Sequence, residues 1–309
     1  MALKALAFLL ALGIVVAGAE ALARKVPNSY EQKKAGLRQA GPSTEILILG
    51  ASEAFQGIAP GGLKAPAYDL ANVGQSLYYD RALFEQALPR LPQLRWLVLG
   101  LSYPSFYYRL DRSPEAWRAF AYQLSFGIPS QDPQQRWDIR NRSALYFYEP
   151  LKVLQWALTG KGIETPRLDQ SGFEALPSLD EEQADLLINE LTARKKARYH
   201  RSIMDEALEA ENVAQVEGML ALARARGVRV ALIFPPVTHA YEQALEPSLR
   251  AKGLACAKKI AAQDQAIYRD YSGDARFRDA DFYDIDHLSG TGAMKFSALL
   301  DSEVLRLKR

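Results

Sequence analysis

The 309-residue sequence is poor in cysteine and histidine and has almost no net charge. Its single cysteine, Cys256, excludes an intrachain disulfide and a metal site built from several thiolates. The 38 Lys and Arg residues nearly balance the 36 Asp and Glu residues, so the chain lacks the basic surface that holds a nucleic acid backbone. A dinucleotide fingerprint, a P-loop and an H-E-x-x-H pattern are also missing from the sequence. The sequence therefore predicts no nucleic acid partner, no bound metal and no cofactor.

What the chain does have is a long apolar run at its N-terminus. One lysine precedes the run Ala5–Ala19, and the small-residue sequences AGA and ALA near its end are typical of signal-peptidase sites. Continued to Ala23, the run approaches the ~20 residues of a membrane helix, and a pair of basic residues then ends it. Residues 1–25 are predicted to be an export signal, either cleaved or kept as a membrane anchor. The protein is therefore expected in the periplasm or cell envelope.

Five short apolar runs follow a polar segment of residues 26–44, which we interpret as a linker or a short amphipathic helix. Each run is almost continuously apolar and precedes a stretch with helical character, as buried parallel strands do in α/β folds. We expect a flavodoxin-like, doubly wound sheet of about five parallel strands in an α/β domain of residues 45–309. The predicted strands are 45–50, 67–74, 94–100, 228–234 and 265–272, and the predicted helices are 78–90, 212–226, 240–262 and 290–307.

More than a hundred residues between the third and fourth strands break this alternation. Their first half is crowded with aromatic residues from Tyr103 to Trp156, and their second half is charged and predicted to be helical. We interpret residues from about 104 to 210 as an inserted, helical, aromatic-rich cap. The aromatic residues could form a local core against the sheet, or a surface that faces carbohydrate or lipid.

Polar or glycine residues follow the first three predicted strands, at the edge where an open α/β sheet binds its ligands. Ser52 follows the first strand in the sequence ILILGASEAF, Gly74 follows the second and Ser102 the third. Ser52 could be a nucleophile, or it could be a helix N-cap, because serine is a preferred N-cap residue. A serine nucleophile needs a base that accepts its proton and a third group that orients the base.

Only three histidines are available as that base. His200 lies on a charge-rich predicted helix, where we expect it to be solvated. His239 follows a strand, where it could contact a substrate or have a structural role. His287 differs from both, because Asp284 precedes it by three residues in a loop before the last helix. On a bent loop, Asp284 can accept the Nδ1 proton of His287 and leave Nε2 facing the crevice.

At these positions the chain resembles the SGNH (GDSL-like) hydrolase superfamily. The sequences ILILGASEAF, ANVGQS, LVLGLS and FYDIDHLSGTGAMKFS resemble its four sequence blocks, over residues 45–100 and 228–300. The sequence is similar above all to an export-directed branch, which includes alginate O-acetylation proteins and the D-alanyl transfer protein of teichoic-acid modification. The last block is the most specific of the four, and the inserted cap is unmatched.

The resemblance implies a role for each matched residue. Ser52 would be the nucleophile, His287 the base and Asp284 the group that orients the base. Gly74 and Ser102 would stand at the oxyanion-hole positions. Ser102 departs from the family pattern, which commonly has an asparagine there, and losing one oxyanion donor typically costs on the order of 10² to 10³ in rate.

Together with the export signal, the resemblance implies an exported serine esterase or O-acyltransferase. An acyl-serine intermediate would pass its acyl group to water or to a sugar hydroxyl of a cell-envelope or exported polysaccharide. The implied partners are an acylated carbohydrate or small ester and, for transfer, a membrane-bound acyl donor protein. The missing asparagine leaves an alternative open: a catalytically inactive binding or assembly protein of the cell envelope with the same fold.

Overall fold

A sheet of five parallel strands organises the chain, which the computed structural model describes over residues 1–138, 142–163 and 165–306. The strand order is β2-β1-β3-β4-β5, which is the flavodoxin-like order, so the predicted fold class is confirmed. From β1, the chain adds β2 on one side of the sheet and then β3, β4 and β5 on the other side. This change of side opens a crevice beyond the carboxyl ends of β1 and β3. The strands are β1 (Ile46–Gly50), β2 (Ala67–Asp69), β3 (Trp96–Gly100), β4 (Arg229–Phe234) and β5 (Ile267–Asp270).

Helices and connecting turns cover both faces of the sheet. Every residue of β1 and β3 is buried, which explains why these strands are apolar along their whole length. Leu47 and Leu49 belong to the hydrophobic core on one face, and Ile46 and Ile48 belong to the core on the other. The helices before the cap are α1 (Ala2–Ala23), α2 (Ser29–Ala40), α3 (Ser52–Phe55) and α4 (Leu77–Ala87).

The inserted segment and the last third of the chain supply the remaining helices. Those of the insertion are α5 (Arg118–Phe126), α6 (Pro133–Arg136), α7 (Pro150–Thr159), α8 (Glu181–Leu187) and α9 (Glu190–Ser202). Those that follow it are α10 (Glu209–Ala225), α11 (His239–Ala244), α12 (Pro247–Asp264) and α13 (Gly290–Leu300), the last continued by a π-helical turn over Asp301–Leu305.

Two predicted element boundaries are wrong. The predicted helix 240–262 is two helices, α11 and α12, because Pro247 occupies the first position of α12, where its missing amide hydrogen costs nothing. The predicted strand 67–74 ends its regular pairing at Asp69. The Asp69 carboxylate accepts the amide hydrogen of Ala71 at 2.7 Å, which closes a turn after the strand. The Leu70 and Asn72 amides still donate to the carbonyl oxygens of Ile48 and Gly50 on β1, at 2.9 and 3.2 Å.

Residues 26–44 contain helix α2, which packs on the sheet domain. Asn28 caps the helix by accepting the Glu31 amide hydrogen at 2.9 Å. Tyr30, Lys33 and Leu37 form its buried side. The segment thus has the amphipathic helix that was one of the two alternatives for it.

Helix α1 has a different environment from the helices around the sheet. Residues 1–18 are exposed, and the first residue of the chain to be fully buried is Ala23, in the last turn of α1. Within the described part of the chain, α1 alone is long and apolar enough to cross a membrane. An N-terminal apolar helix of this kind is consistent with a signal sequence or a membrane anchor.

Some aromatic residues of the insertion pack in a core beside the sheet, and others are exposed at the surface. Phe106, Tyr107 and Tyr122 belong to the main hydrophobic core beside the sheet. Trp117 and Trp137 remain 48% and 77% exposed. The first group is therefore a structural core, and only the second group offers a surface.

Candidate functional site

Ser52 lies at the carboxyl end of β1, just after a sharp turn. Gly50 has a φ of +133°, and an added Cβ there would collide with the carbonyl oxygen of Gly100 on the neighbouring strand. Only glycine fits this conformation and this close approach. The turn leads directly into α3, and it leaves Ser52 half-buried at the crevice.

The interpretation of Ser52 as a helix N-cap is wrong. Ala51 occupies the N-cap position of α3, and Ser52 is the first residue of the helix proper. No side chain caps this helix; the Ser52 hydroxyl instead donates to Glu53 Oε2 at 3.3 Å. Helix capping therefore does not explain the serine at this position.

The loop of Asp284 and His287 is bent back on itself and fixed by its neighbours. Thr238, the N-cap of α11, donates its hydroxyl hydrogen to the Ile285 carbonyl oxygen at 2.8 Å. The Thr238 amide donates to the same oxygen at 3.1 Å. Across the loop, the Tyr283 amide donates to the His287 carbonyl oxygen at 2.9 Å. The predicted bent loop is thus present.

Asp284 holds the imidazole of His287 in one orientation. The His287 Nδ1 atom lies 2.9 Å from Asp284 Oδ1 and 3.0 Å from Oδ2. Asp284 Oδ1 also accepts the amide hydrogens of Asp286 at 3.1 Å and His287 at 2.9 Å. Nε2 of His287 is buried and has no hydrogen-bond partner among the described residues. An imidazole held at Nδ1, with Nε2 left unpaired, has the geometry of a general base.

The charges around His287 favour its protonated form. Burial by itself lowers the pKa of His287, but the negative charge of Asp286, the hydrogen bond with Asp284 and the charge of Asp284 together raise that pKa to about 9. Asp286 Oδ1 is 3.3 Å from His287 Nδ1. Burial likewise raises the pKa of Asp284, but the hydrogen bond and charge of His287 outweigh it, and the pKa is lowered. The pair is therefore an imidazolium and a carboxylate at neutral pH.

One cavity of about 320 Å³ brings together the five residues to which the resemblance assigns a role. Its lining includes Ser52, Gly74, Ser102, Asp284 and His287. The Ser52 hydroxyl bonds to Glu53 and the His287 Nε2 atom is unpaired, so the structure does not contain a serine–histidine hydrogen bond at these residues. In a resting site such a bond is often formed only when substrate is present.

The two positions assigned to an oxyanion hole differ in how free they are. Gly74 has a φ of +66°, and a Cβ added at this position would lie 2.9 Å from Glu115 Oε2. At Ser102, the amide donates to the Ser105 hydroxyl oxygen at 2.8 Å, and the two hydroxyl oxygens are 3.2 Å apart. Ser102 would have to exchange a partner before it could donate to an oxyanion, whereas Gly74 borders the open cavity.

The prediction that His200 is solvated is wrong. The side chain is 9% exposed and lines the same cavity as Ser52. Its Nδ1 atom is hydrogen-bonded to the Tyr241 hydroxyl, and its Nε2 atom lies 3.8 Å from Asp286 Oδ2. Burial lowers the pKa of His200, although the charge of Asp286 opposes this. A signal was available in the sequence, because Ala193, Ala197 and His200 recur at helical spacing and form the buried side of α9.

Four further acidic or basic residues of the cavity lining escaped the sequence analysis: Glu53, Asp80, Glu115 and Lys196. Lys196 of α9 reaches Asp286, with Nζ 3.1 Å from Oδ1, four residues before His200 on the same face. Glu53, next to Ser52, is buried and faces the same cavity. Glu53 lies within the first sequence block but has no assigned role there, and only the packing of α9 over the sheet edge brings Lys196 to the site.

His239 is not part of the site. It is the first residue of α11, its side chain is 79% exposed, and its Nε2 atom lies 2.7 Å from Gln243 Nε2. It does not line the cavity that contains Ser52. Its neighbour Thr238, rather than His239 itself, links this strand end to the site.

Asp284, Asp286 and His287 place potential metal ligands within 4.8 Å of one another. The Lys196 ammonium already lies 3.1 Å from Asp286, and the raised pKa of His287 keeps a second positive charge there. Both carboxylates thus have cationic partners supplied by the chain. We interpret the cluster as a charge-balanced proton-transfer site and assign no metal to it.

Comparison with known proteins identifies no family for this chain. No family model matches it, and no curated protein matches its sequence. Among solved structures, it is similar to a candidate acylhydrolase from Bacteroides fragilis, with a TM-score of 0.41 and 12% identity over 87% of this chain and 94% of the other. It is also similar to a candidate platelet activating factor from Streptococcus pneumonia, with a TM-score of 0.41 and 11% identity over 96% and 98%. Likeness at this level carries no argument about activity, so the function must be argued from the site.

Proposed function

We propose that the protein is a serine esterase or O-acyltransferase of SGNH type, with Ser52 as nucleophile, His287 as base and Asp284 as the group that orients the base. The supporting observation is the shared cavity. It unites a serine that caps no helix with a buried imidazole whose Nδ1 is held by a carboxylate and whose Nε2 is unpaired. Serine nucleophiles need this combination of neighbours.

The chemistry begins when deprotonated His287 accepts the Ser52 hydroxyl proton at Nε2. The serine oxygen then bonds to an ester carbonyl carbon, and collapse of the tetrahedral intermediate expels the alcohol, which takes the proton back from His287. Water or a sugar hydroxyl then attacks the acyl carbon as His287 accepts its proton. The second tetrahedral intermediate collapses by breaking the bond to Ser52, and the serine oxygen takes the proton back from His287. Gly74 and Ser102 are the proposed donors to the carbonyl oxygen during both steps.

A covalent probe tests the nucleophile directly. We would incubate the full chain in detergent with a fluorophosphonate and measure the intact mass of the wild type and of Ser52→Ala. The matched control is Ser76→Ala, which alters another serine of the same cavity. We expect one adduct on the wild type and on Ser76→Ala, and none on Ser52→Ala. An adduct that persists in Ser52→Ala would assign the nucleophile elsewhere.

Two features of the site favour the second candidate, a non-catalytic binding or assembly protein. The Ser52 hydroxyl is bonded to Glu53, and the Ser102 amide is engaged with Ser105. Such a protein would form no adduct at any pH and would not hydrolyse p-nitrophenyl acetate. A folded wild-type chain with neither activity, tested up to and above pH 9, would make this candidate the better one.

The proposed location is the outer face of a membrane, with α1 retained as an anchor. The contacts of its last turn support retention: Ala23 is buried, and Glu20 accepts hydrogen bonds from the Ser143 hydroxyl at 2.8 Å and the Ala144 amide at 2.9 Å. Cleavage after ALA would remove these contacts, because Glu20 and Ala23 both precede the new N-terminus, whereas cleavage after AGA would leave both residues in place. The intact mass of the protein purified from cell envelopes should therefore equal that of the full chain, and a mature chain beginning at Glu20 or Arg24 would contradict retention.

An acylated polysaccharide of the cell envelope is the proposed substrate or acceptor, with a membrane-bound acyl donor protein as the partner for transfer. The membrane-side location and the exposed Trp117 and Trp137 support this choice, because aromatic rings suit sugar faces. Acetylated and deacetylated forms of one polymer, incubated with the wild type and with Ser52→Ala, would separate hydrolysis from transfer.

A further inference from the structure

Helix α7 buries one side and exposes leucines on the opposite side. Val153 is 2% exposed, whereas Leu151, Leu154 and Leu158 are 80%, 50% and 77% exposed. At about 100° per residue, the three leucines fall within roughly 60° of one another, on the side away from Val153. We call these three residues the leucine stripe. Water disfavours a continuous apolar stripe of this kind, so it calls for an apolar neighbour.

The structure ties α7 to the end of α1. Ala23 and Val26 at the base of α1 form a small hydrophobic cluster with Ala144 and Val153. On the same side, the carboxylate of Glu20 accepts hydrogen bonds from residues 143–145 in the turn before α7. The leucine stripe therefore lies at a fixed position beside the point where α1 leaves the folded domain.

Helix α1 leaves the domain beside α7 and is exposed along most of its length. Its residues 2–18 are apolar apart from Lys4, and the window that could cross a membrane is not buried by the rest of the described chain. At 1.5 Å per residue, the 22 residues of α1 span about 33 Å, enough for the ~30 Å hydrocarbon core of a bilayer. The neighbour that covers α1 is then also within reach of α7.

Charge near the stripe fits the lipid headgroup region. Exposed basic residues occur at the base of α1 and around α7, where they suit anionic headgroups. Lys152 is paired with Glu149, with Nζ 2.8 Å from Oε1, so its charge is partly offset. The exposed basic residues of these segments are Arg24, Lys25, Arg142, Lys152 and Lys161.

We propose that the leucine stripe of α7 inserts into the membrane interface beside α1 and holds the domain on the bilayer surface in one orientation. The occupant is lipid, because α7 is packed at the point where α1 leaves the domain, and only a bilayer would cover that helix along its whole length. The proposal rests on the proposed membrane span of α1 and is independent of the acyl chemistry. A fixed orientation would keep the Ser52 cavity at a constant height above the lipid.

Site-directed spin labelling of the full chain tests this placement. In a Cys256→Ala background, we would label Leu154→Cys or Leu158→Cys in vesicles of phosphatidylethanolamine and phosphatidylglycerol. Power saturation would then compare collisions with oxygen, which enriches in lipid, and with a water-soluble nickel chelate. Ile14→Cys in the middle of α1 is the control for lipid, and Ala255→Cys, exposed on α12 against the far strand β5, is the control for water.

We expect the stripe labels to gain oxygen accessibility and lose nickel accessibility relative to Ala255→Cys, with values between those of the two controls. If Ile14→Cys lies in lipid while both stripe labels match Ala255→Cys, the stripe faces water and the inference is overturned with the anchor intact. If Ile14→Cys is itself exposed to water, the anchor fails and the inference falls with it. Because no other protein is present, a stripe meant for a protein partner would give the first of these contrary results.

Discussion

The loop of His287 and the cap helix α9 of His200 approach the same carboxylate from two sides, yet their histidines have opposite protonation behaviour. Asp286 lies 3.3 Å from His287 and 3.8 Å from His200. The side chains of His287 and His200 are only 12% and 9% exposed, and this loss of water lowers both pKa values. Only His287 also has Asp284 bonded to its Nδ1, which together with Asp286 raises its pKa to about 9, whereas the pKa of His200 is lowered.

The difference between the two pKa values gives His287 and His200 different roles in the site. A buried histidine stays neutral unless carboxylates hold the charged form, so the number of carboxylates decides which ring carries the proton. In the loop, Asp284 belongs to the same short sequence as His287. In the cap, His200 bonds instead to the neutral Tyr241 hydroxyl and lies near the positive charge of Lys196. The loop is therefore suited to proton transfer, and α9 to covering and tuning the cavity.

The largest expected effect separates the two histidines. We expect His287→Ala to reduce kcat for p-nitrophenyl acetate by about 10⁶, the scale seen when a serine hydrolase loses its base. His200→Phe, which keeps a ring of similar size in the cap, should cost far less because His200 is not in the proton path. Steady-state kinetics of both variants, with folding checked by circular dichroism, makes the comparison; equal losses would mean that the cap also takes part in proton transfer.

The next effect concerns the group that orients the base. Asp284→Asn should reduce kcat by about 10⁴, because the amide no longer fixes the tautomer that leaves Nε2 as the acceptor. It also removes a charge that raises the pKa of His287, so the residual activity should appear at lower pH. A pH-rate profile that kept its wild-type position would argue that Asp286, rather than Asp284, sets the protonation of His287.

A smaller effect, on pH dependence, tests whether the cap tunes the loop. Wild-type kcat/KM should rise with pH through about 9, as His287 loses its proton. The positive charge of Lys196 lowers the pKa of His287, so Lys196→Met should move this profile to higher pH. Lys195→Met, at an exposed neighbouring position on α9, is the matched control and should leave the profile in place. A profile unchanged in Lys196→Met would show that the loop sets its own pKa.

The same titration should appear in stability. Because folding raises the pKa of His287, its protonated form stabilises the folded state below the pKa of an unfolded histidine, and this contribution is lost as pH rises through about 9. The Tm of the wild type should fall over that interval more than that of His287→Ala, in thermal melts followed at fixed ionic strength.

The smallest expected effect concerns the support of the loop. Thr238→Val removes the hydroxyl that donates to Ile285 and also caps α11. We expect a loss of about 1–2 kcal/mol in the free energy of unfolding, measured by urea denaturation. A loss of activity much larger than this would mean that the loop moves when Thr238 stops holding it, and that its geometry depends on α11.

The sequence by itself determined the sheet and most of the candidate site. Continuous apolar runs have few alternatives to buried parallel strands, and Asp284 lies so near His287 in the chain that a bent loop suffices to bond them. Even so, the sequence left a helix cap open as an alternative at Ser52 and predicted a solvated His200, because local propensity cannot tell which residue starts α3 or which side of α9 faces inward. Those decisions belonged to the tertiary structure: Ala51 takes the cap position after the turn at Gly50, and packing over the crevice buries His200 and brings Lys196 to Asp286. Contacts between residues far apart in the chain carry no local signal, since burial and charge pairing arise only when the elements meet.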